Sequence, residues 1–475
     1  MKPIRIAFLF IFALTLSKVA IASQAELGSA IEKLMAGVAD DVQVGIIVEE
    51  ASTGKVIYAR GADLPLNPAS NTKVLSTLAA LSSLGPDYAF KTQLVGLEAG
   101  KKDKGRLRHL ALKGHGDPLL DSAALDSMAA RLKEKGVRVV EVLSVDGSHF
   151  DDGDFPGQFQ GRQRDASFNC SVGALSIDHN LLFLNVSPGE TVGSPAKIEI
   201  DPPLPGFPIE GEVLTQRRKG RIIVKNKAAD GDELGVQISG GIALKSEPLR
   251  YRISIHQPLT LAALRLRESL KAQGILLPDK TEFGPAPAKS KVLVEHRSLP
   301  LSLILQEINK RSDNFMAEQL TKALGAEAEG APGTTAKGVN AILKKLKELG
   351  VATSEVEIEN GSGLSKVNRF SAKTLAQALQ AAYADPALRQ NFLSSLSVLG
   401  VDGTLRRKFR RSDIAGRFFG KTGTLNGVSS LSGYAFPKNS DSEAFVYAFI
   451  VNGKGKNFWK EKQRGQAILE TLLNW

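Results

Sequence analysis

Ser70, Asn71, Thr72 and Lys73 place a hydroxyl and an amine one helical turn apart. Side chains at i and i+3 lie on the same face of a helix. A serine hydroxyl becomes a useful nucleophile only when a neighbour accepts its proton, and Lys73 is spaced for that task. Asn67-Pro68-Ala69 precedes the group and an apolar run follows it, so a helix is expected from about Ser70 to Leu84, stopped by Gly85-Pro86. Ser70 would then open the helix, where free N–H groups and the dipole favour developing negative charge. A plain N-cap serine would look the same in isolation. The Ser-x-x-Lys pattern also occurs at Ser52 and Ser194, but there a Gly-containing turn or a following proline argues against a helix.

Two further groups sharpen the pattern. Ser312-Asp313-Asn314 falls between two helical runs; Ser312 is suited to relaying a proton and Asn314 to holding Lys73 and a substrate amide. Taken alone, the triplet is equally a helix cap. Lys421-Thr422-Gly423-Thr424 falls on an expected strand before an Asn426-Gly427 turn. Gly423 would let a substrate backbone lie beside the strand edge, while Lys421 and Thr422 would hold a terminal carboxylate. Order, spacing and helix–loop–strand context together match the motif set of penicillin-binding proteins and class A β-lactamases.

With these motifs the chain resembles the low-molecular-mass class C penicillin-binding proteins, the D-alanyl-D-alanine carboxypeptidase/endopeptidases of peptidase family S13. The resemblance spans nearly the whole chain, including the long interval between Ser70 and Ser312 that a β-lactamase lacks. Gly114-His115-Gly116-Asp117-Pro118, the stretch from Asn360 through Ser365, and Val401-Asp402-Gly403-Thr404-Leu405 also match. The resemblance implies that Ser70 is acylated, that Lys73 is the base, and that Ser312 and Asn314 form the second motif. It implies Lys421, Thr422, Gly423 and Thr424 for substrate binding, with the N–H groups of Ser70 and Thr424 as an oxyanion hole. Asn360 stands where the family often has Asp. Lys366 and Asn426 replace the Arg and Gln with which some members contact a diaminopimelate side chain; Asp165 is near the expected place of an acidic partner.

Other chemistries fit less well. None of the six histidines (109, 115, 149, 179, 256 and 296) adjoins the three motifs, and no His-x-x-x-His pair suggests a metal; no cofactor is expected. Cys170 is the only cysteine, so no internal disulfide is possible and a small buried residue is its expected role. Aromatic residues are 6% of the chain and no nucleic-acid motif is present, which argues against a nucleic-acid partner.

The elements must carry this site to one place. Strands are expected at Val42–Glu50 and Lys55–Arg60, helices at Leu301–Lys310, Phe315–Leu324 and Ala336–Leu349, then strands at Arg417–Thr424, Val428–Phe436 and Ala444–Val451 and a terminal helix at Trp459–Leu473. Together they indicate an α+β transpeptidase-like domain whose antiparallel sheet joins the two ends of the chain. The middle is β-rich, with one expected helix at Leu259–Gln273, and reads as a large insertion. The expected division is 23–92 with 290–475 as the catalytic domain, 93–165 with 251–289 as an insert, and 166–250 nested within it.

Lys2 and Arg5, an apolar run from Ile6 to Leu16 and the small residues Ala20 to Ala22 have the layout of a secretory signal over residues 1–22. The run is too short to span a bilayer. The net charge is +11; losing Lys2, Arg5 and Lys18 with the signal leaves 11 − 3 = +8, a balance that favours anionic partners. The Arg406–Arg411 run is either a solvated turn or part of such a contact. The expectation is an exported, periplasmic serine hydrolase acting on peptidoglycan and inhibited covalently by β-lactams. A β-lactamase and a non-catalytic wall-binding protein are the alternatives.

Overall fold

The computed structural model describes residues 24–100, 104–151, 171–218, 220–227, 234–408, 412–438 and 443–475. The expected signal at 1–22, Asp165 and Cys170 lie outside the described residues. The described chain forms two compact units. One comprises its residues up to Pro86 with Leu305–Asp313 and Ile342–Trp475; the other comprises Asp87–Ile304 and Asn314–Ala341.

The first unit is built on a six-stranded sheet. Its order is Ser397–Val398, Phe418–Leu425, Val428–Ala435, Phe445–Asn452, Gln43–Glu50 and Val56–Arg60. The chain's first strand therefore lies between the last long strand and its own hairpin partner, and every pairing is antiparallel. Gln43–Glu50 and Phe445–Asn452 are buried along almost their whole length, as a central strand covered on both faces must be. Helix 24–35 and the terminal helix Gly455–Asn474 contribute Leu27, Ile31, Ile468, Leu469 and Leu472 to a core shared with Tyr447 and Phe449. The buried helix Thr72–Leu84 and the helices Ala372–Ala384 and Pro386–Ser395 belong to the same unit. The last two did not stand out by periodicity. Asp385 caps the second of them through its side chain, with Pro386 at its first position.

The second unit holds the rest of the β structure. Thr281–Phe283, Leu143–Asp146, Arg106–Gly114, Lys91–Glu98 and Lys291–Arg297 form one sheet in that order. Its apolar face packs on the helices Ser122–Glu134 and Pro258–Ala272. The first of these helices corrects the expectation of a single helix here: Asp121 accepts from the Ala124 N–H, and Leu125, Met128, Ala129 and Leu132 form its buried stripe. Two smaller sheets, Leu249–Ser254/Leu181–Ser187/Lys197–Asp201 and the group around Val236–Ala243, share a separate core that includes Leu184, Val186, Ile238 and Ile253. No helix among the described residues is long and apolar enough to cross a membrane.

Candidate active site

The segment leading to Ser70 is shaped by side chains that bond its backbone. Asn67 Oδ1 accepts from the Ala69 N–H at 2.8 Å, while the Asn67 N–H and carbonyl are held by the side chain of Asn452. Asn67 Nδ2 donates to the carbonyls of Ser365 and Lys366. Ala69 is forced to a φ of 48°, a conformation that a residue with a Cβ adopts only under constraint. Ala69–Asn71 is consequently a 3₁₀ turn, and the α-helix begins at Thr72. Ser70 thus lies in the 3₁₀ turn that runs directly into the regular helix, two residues before its first residue.

Lys73 is fully buried. Its Nζ donates to the Ser362 carbonyl at 2.7 Å and stands 3.5 Å from Ser70 Oγ. The carbonyl comes from the 360–368 loop, which Asn368 ties together: it accepts from the Glu359 N–H and donates to the Asn360 carbonyl and to Thr72 Oγ1. Gly363 must be glycine, because a Cβ there would lie 2.0 Å from the Ala69 carbonyl and φ is 76°. The loop therefore wedges against the turn carrying Ser70 and fixes the lysine beside it.

Asn71 ties the same turn to the sheet. Its amide donates to Ser430 Oγ at 2.6 Å and accepts from Ser432 Oγ at 2.5 Å; Ser430 Oγ in turn donates to the Pro68 carbonyl. Ser430 and Ser432 lie opposite Gly423 and Lys421 in the strand register. Strand alternation puts Lys421 and Gly423 on this same face. A Cβ on Gly423 would come within 2.2 Å of Ser430 Oγ and 2.5 Å of the Pro68 carbonyl, so only glycine lets the strand approach the Ser70 turn.

Lys421 is fully buried and donates to Ser312 Oγ at 2.8 Å and to the Thr422 carbonyl at 2.7 Å. Burial, and then the nearby charge of Lys73, hold its ammonium well below the ordinary lysine range. Ser312 follows the helix Leu301–Arg311 with a φ of 59°, and the Asp313 N–H returns to the Ile308 carbonyl. That is a Schellman-type stop in which Ser312 takes the position usually given to glycine. Asn314 begins the helix Asn314–Glu329 in the second unit.

The first unit thus brings Ser70, Lys73, Ser312 and Lys421 together. Thr422 is half-buried on the same strand, and Thr424 is exposed further along it. The other two Ser-x-x-Lys serines lie elsewhere: Ser52 bonds Glu443 on an exposed turn, and Ser194 bonds the Thr191 carbonyl in the second unit. The Ser362 carbonyl, Asn71 with its two serines, and Asn67 with Asn452 were not singled out by sequence. Asn67, Asn71 and Ser362 lay in stretches already noted but were given no role there, and the contribution of Ser362 is a backbone atom.

A half-buried Ser70 beside a fully buried Lys73, with a second Ser–Lys contact nearby, is an arrangement suited to a serine-type acyl-transfer hydrolase. Residues 27–473 match the model of the D-Ala-D-Ala carboxypeptidase 3 (S13) family, and the chain belongs to that family. It is 31% identical over 406 residues to a D-alanyl-D-alanine carboxypeptidase of Actinomadura sp. (strain R39), covering 82% of this chain and 74% of that protein. It is 25% identical over 435 residues to the D-alanyl-D-alanine carboxypeptidase DacB of Haemophilus influenzae, covering 91% and 90%. The fold matches the crystal structure of penicillin binding protein 4 (dacB) from Haemophilus influenzae with a TM-score of 0.79 at 23% identity, over 94% of this chain and 99% of that one.

Proposed function

We propose that this chain is a serine D-Ala-D-Ala carboxypeptidase and/or DD-endopeptidase that cleaves peptidoglycan stem peptides through an acyl-enzyme on Ser70. The observation that carries the assignment is Lys73 Nζ, locked by the Ser362 carbonyl at 2.7 Å and standing 3.5 Å from Ser70 Oγ. Two buried amines near one another resist both being charged. Lys73 accepts the Ser70 proton as Oγ attacks the D-Ala carbonyl. The oxyanion is received by the N–H groups of Ser70 and Thr424. Ser312, bonded to Lys421, is placed to pass a proton to the departing amine. Lys421 and Thr422 hold the terminal carboxylate, Gly423 admits the substrate backbone, and Asn314 bonds the substrate amide. Water then releases the acyl group.

Residues 1–22 are proposed as a cleaved signal that delivers the enzyme to the periplasm. The two separate cores of the second unit support its division into an insert (93–165 with 251–289) and a nested insert (166–250). These inserts would tune access of wall polymer to the site.

Intact mass after incubation with benzylpenicillin tests the assignment. One adduct is expected on the wild type and none on Ser70→Ala. An adduct on the Ala variant would remove Ser70 from its role. Rapid turnover of penicillin without cleavage of a D-Ala-D-Ala peptide would reassign the protein as a β-lactamase.

A further inference from the structure

Thr422 Oγ1 donates to Thr404 Oγ1 at 2.9 Å, across 18 residues of sequence. Thr404 lies next to Ser397: the two hydroxyl oxygens are 3.3 Å apart, and the Thr404 N–H donates to Ser397 Oγ at 3.2 Å. Ser397 Oγ donates to the Lys310 carbonyl at 3.4 Å. The 3₁₀ turn Gly403–Leu405 that carries Thr404 is pinned at its start by Asp402, which accepts from the Val398 N–H at 2.7 Å and pairs with Lys310 at 2.6 Å. Gly403 has a φ of 56°, and a Cβ on it would press on Ser397 Oγ and the Lys310 carbonyl, so the turn sits directly against the end of the helix that stops at Ser312.

The chain of hydroxyls has a direction. A main-chain carbonyl only accepts, so the Ser397 proton goes to Lys310. Thr404 then donates to Ser397 and accepts from Thr422. A carboxylate also only accepts. When one docks on Thr422, that hydroxyl turns its proton outward, and its freed lone pair faces Thr404.

We infer that Thr404 is a positioning residue for substrate: it reverses its hydrogen bond with Thr422 when the terminal carboxylate binds, and so aims the Thr422 hydroxyl at that carboxylate. Donation from Thr404 into Thr422 polarises the Thr422 O–H and strengthens its bond to the anion, as hydrogen bonds in a chain do. On reversal Thr404 gives up its hydroxyl bond to Ser397, but its own N–H still donates to Ser397 Oγ at 3.2 Å and Ser397 still donates to the Lys310 carbonyl, two residues before Ser312, so Thr404 stays in place while its single proton turns to Thr422. The inference rests on the carboxylate clamp proposed above.

The test is a double-mutant cycle on benzylpenicillin acylation, which also presents a carboxylate, with hydrolysis of a D-Ala-D-Ala peptide as a second rate. Thr404→Val removes the hydroxyl at nearly constant volume, and Thr404→Ser keeps it. Thr404→Val is expected to lower the acylation efficiency about tenfold, the worth of one hydrogen bond in a charged arrangement. Thr404→Ser is expected to stay within about threefold of wild type, and Ser397→Ala to fall between the two. The Thr422→Val/Thr404→Val double variant should be no slower than Thr422→Val alone, because Thr404 acts only through Thr422. Multiplying losses, or failure of Thr404→Ser to restore the rate, overturns the relay and leaves Thr404 a packing residue. Should Thr404→Val not fold, the Ser397→Ala and Thr422→Val pair supplies the same cycle. Wild-type rates in Thr422→Val would instead refute the clamp itself, an outcome distinct from failure of the relay.

Discussion

Lys421 Nζ lies 2.8 Å from Ser312 Oγ, and the two residues reach that distance by opposite routes. Lys421 arrives on a buried strand of the central sheet, whereas Ser312 arrives on a helix stop with a φ of 59°. A hydroxyl-bearing residue occupies a left-handed position that glycine fills at no steric cost.

That conflict separates stability from activity. Ser312→Gly and Ser312→Ala both remove the hydroxyl, and both should slow acylation by at least about tenfold through the lost hydrogen bond to Lys421. They differ only in backbone freedom. The glycine variant should be the more stable of the pair by about 1 kcal/mol, since alanine keeps the left-handed penalty. Chemical denaturation of the two proteins decides it; equal midpoints would show that the surrounding structure imposes no strain at this position.

The second prediction concerns pH. Burial, followed by the charge of Lys73, depresses the Lys421 pKa well below the 10.5 of an ordinary lysine. Between the folded value and 10.5 the unfolded chain binds more protons than the folded one, so stability rises with pH through that window. Below the folded value the full cost of the buried charge is present. Lys421→Met removes this titration. Relative to the variant, wild-type protein should therefore gain stability as the pH rises toward 10.5, as urea denaturation at successive pH values will show. A constant difference across the window would mean that Lys421 titrates normally. The same variant should lose about 2–4 kcal/mol of transition-state stabilisation with a D-Ala-D-Ala peptide.

Gly423→Ala tests the close approach of the strand and the Ser70 turn. Its Cβ would lie 2.2 Å from Ser430 Oγ, 2.5 Å from the Pro68 carbonyl and 3.1 Å from the Ser70 N–H nitrogen. Ser430 can rotate only by giving up its bond to Pro68 or Asn71, and the Pro68 carbonyl is backbone. The strand must then move away from Ser70. About 1–3 kcal/mol of destabilisation is expected from overpacking. Penicillin acylation should fall by more than about tenfold. Unchanged kinetics would show that the turn yields freely.

Much of this site was legible because its chemistry resides in side chains with fixed spacing. Ser70 and Lys73 are one helical turn apart, and Lys421 through Thr424 lie on one strand. The framework of strands at both chain ends was equally legible from apolar runs bounded by turns. The exact start of the helix was not: Asn67 bonding the Ala69 N–H converts the first turn to 3₁₀, and that bond depends on Asn452 at the far end of the chain. The Ser362 carbonyl that fixes Lys73 leaves no side-chain signature. The helix Ser122–Glu134 had a readable cap in Asp121 and a helical stripe, but its neighbours are Gly-, Pro- and Asp-rich and draw attention to strands instead. Thr404 looked like one residue of a matching stretch until folding set it beside Thr422.

The last prediction lies in the second unit, where two histidines that the chemistry does not use stand ring to ring. His115 and His149 have centroids 5.0 Å apart, and His149 stacks on Phe150 at 5.5 Å. Burial, and then the neighbouring His115, lower the His149 pKa to about 4; Lys113 pushes the same way, while Glu327 and Asp146 oppose it. The unfolded chain takes up this proton near pH 6.5, whereas the folded unit resists until about 4. Stability from this residue is therefore complete above pH 6.5 and is lost as the pH falls toward 4. Partial exposure screens the effect, so about 1–2 kcal/mol is expected across the window. His149→Phe keeps a ring against Phe150 and leaves the main-chain carbonyl free to accept from the Gly333 N–H, as it does now. The variant should lose less stability than wild type between pH 6.5 and pH 4, measured by urea denaturation followed by circular dichroism. A parallel decline in both proteins would show that the acid sensitivity of this unit arises elsewhere.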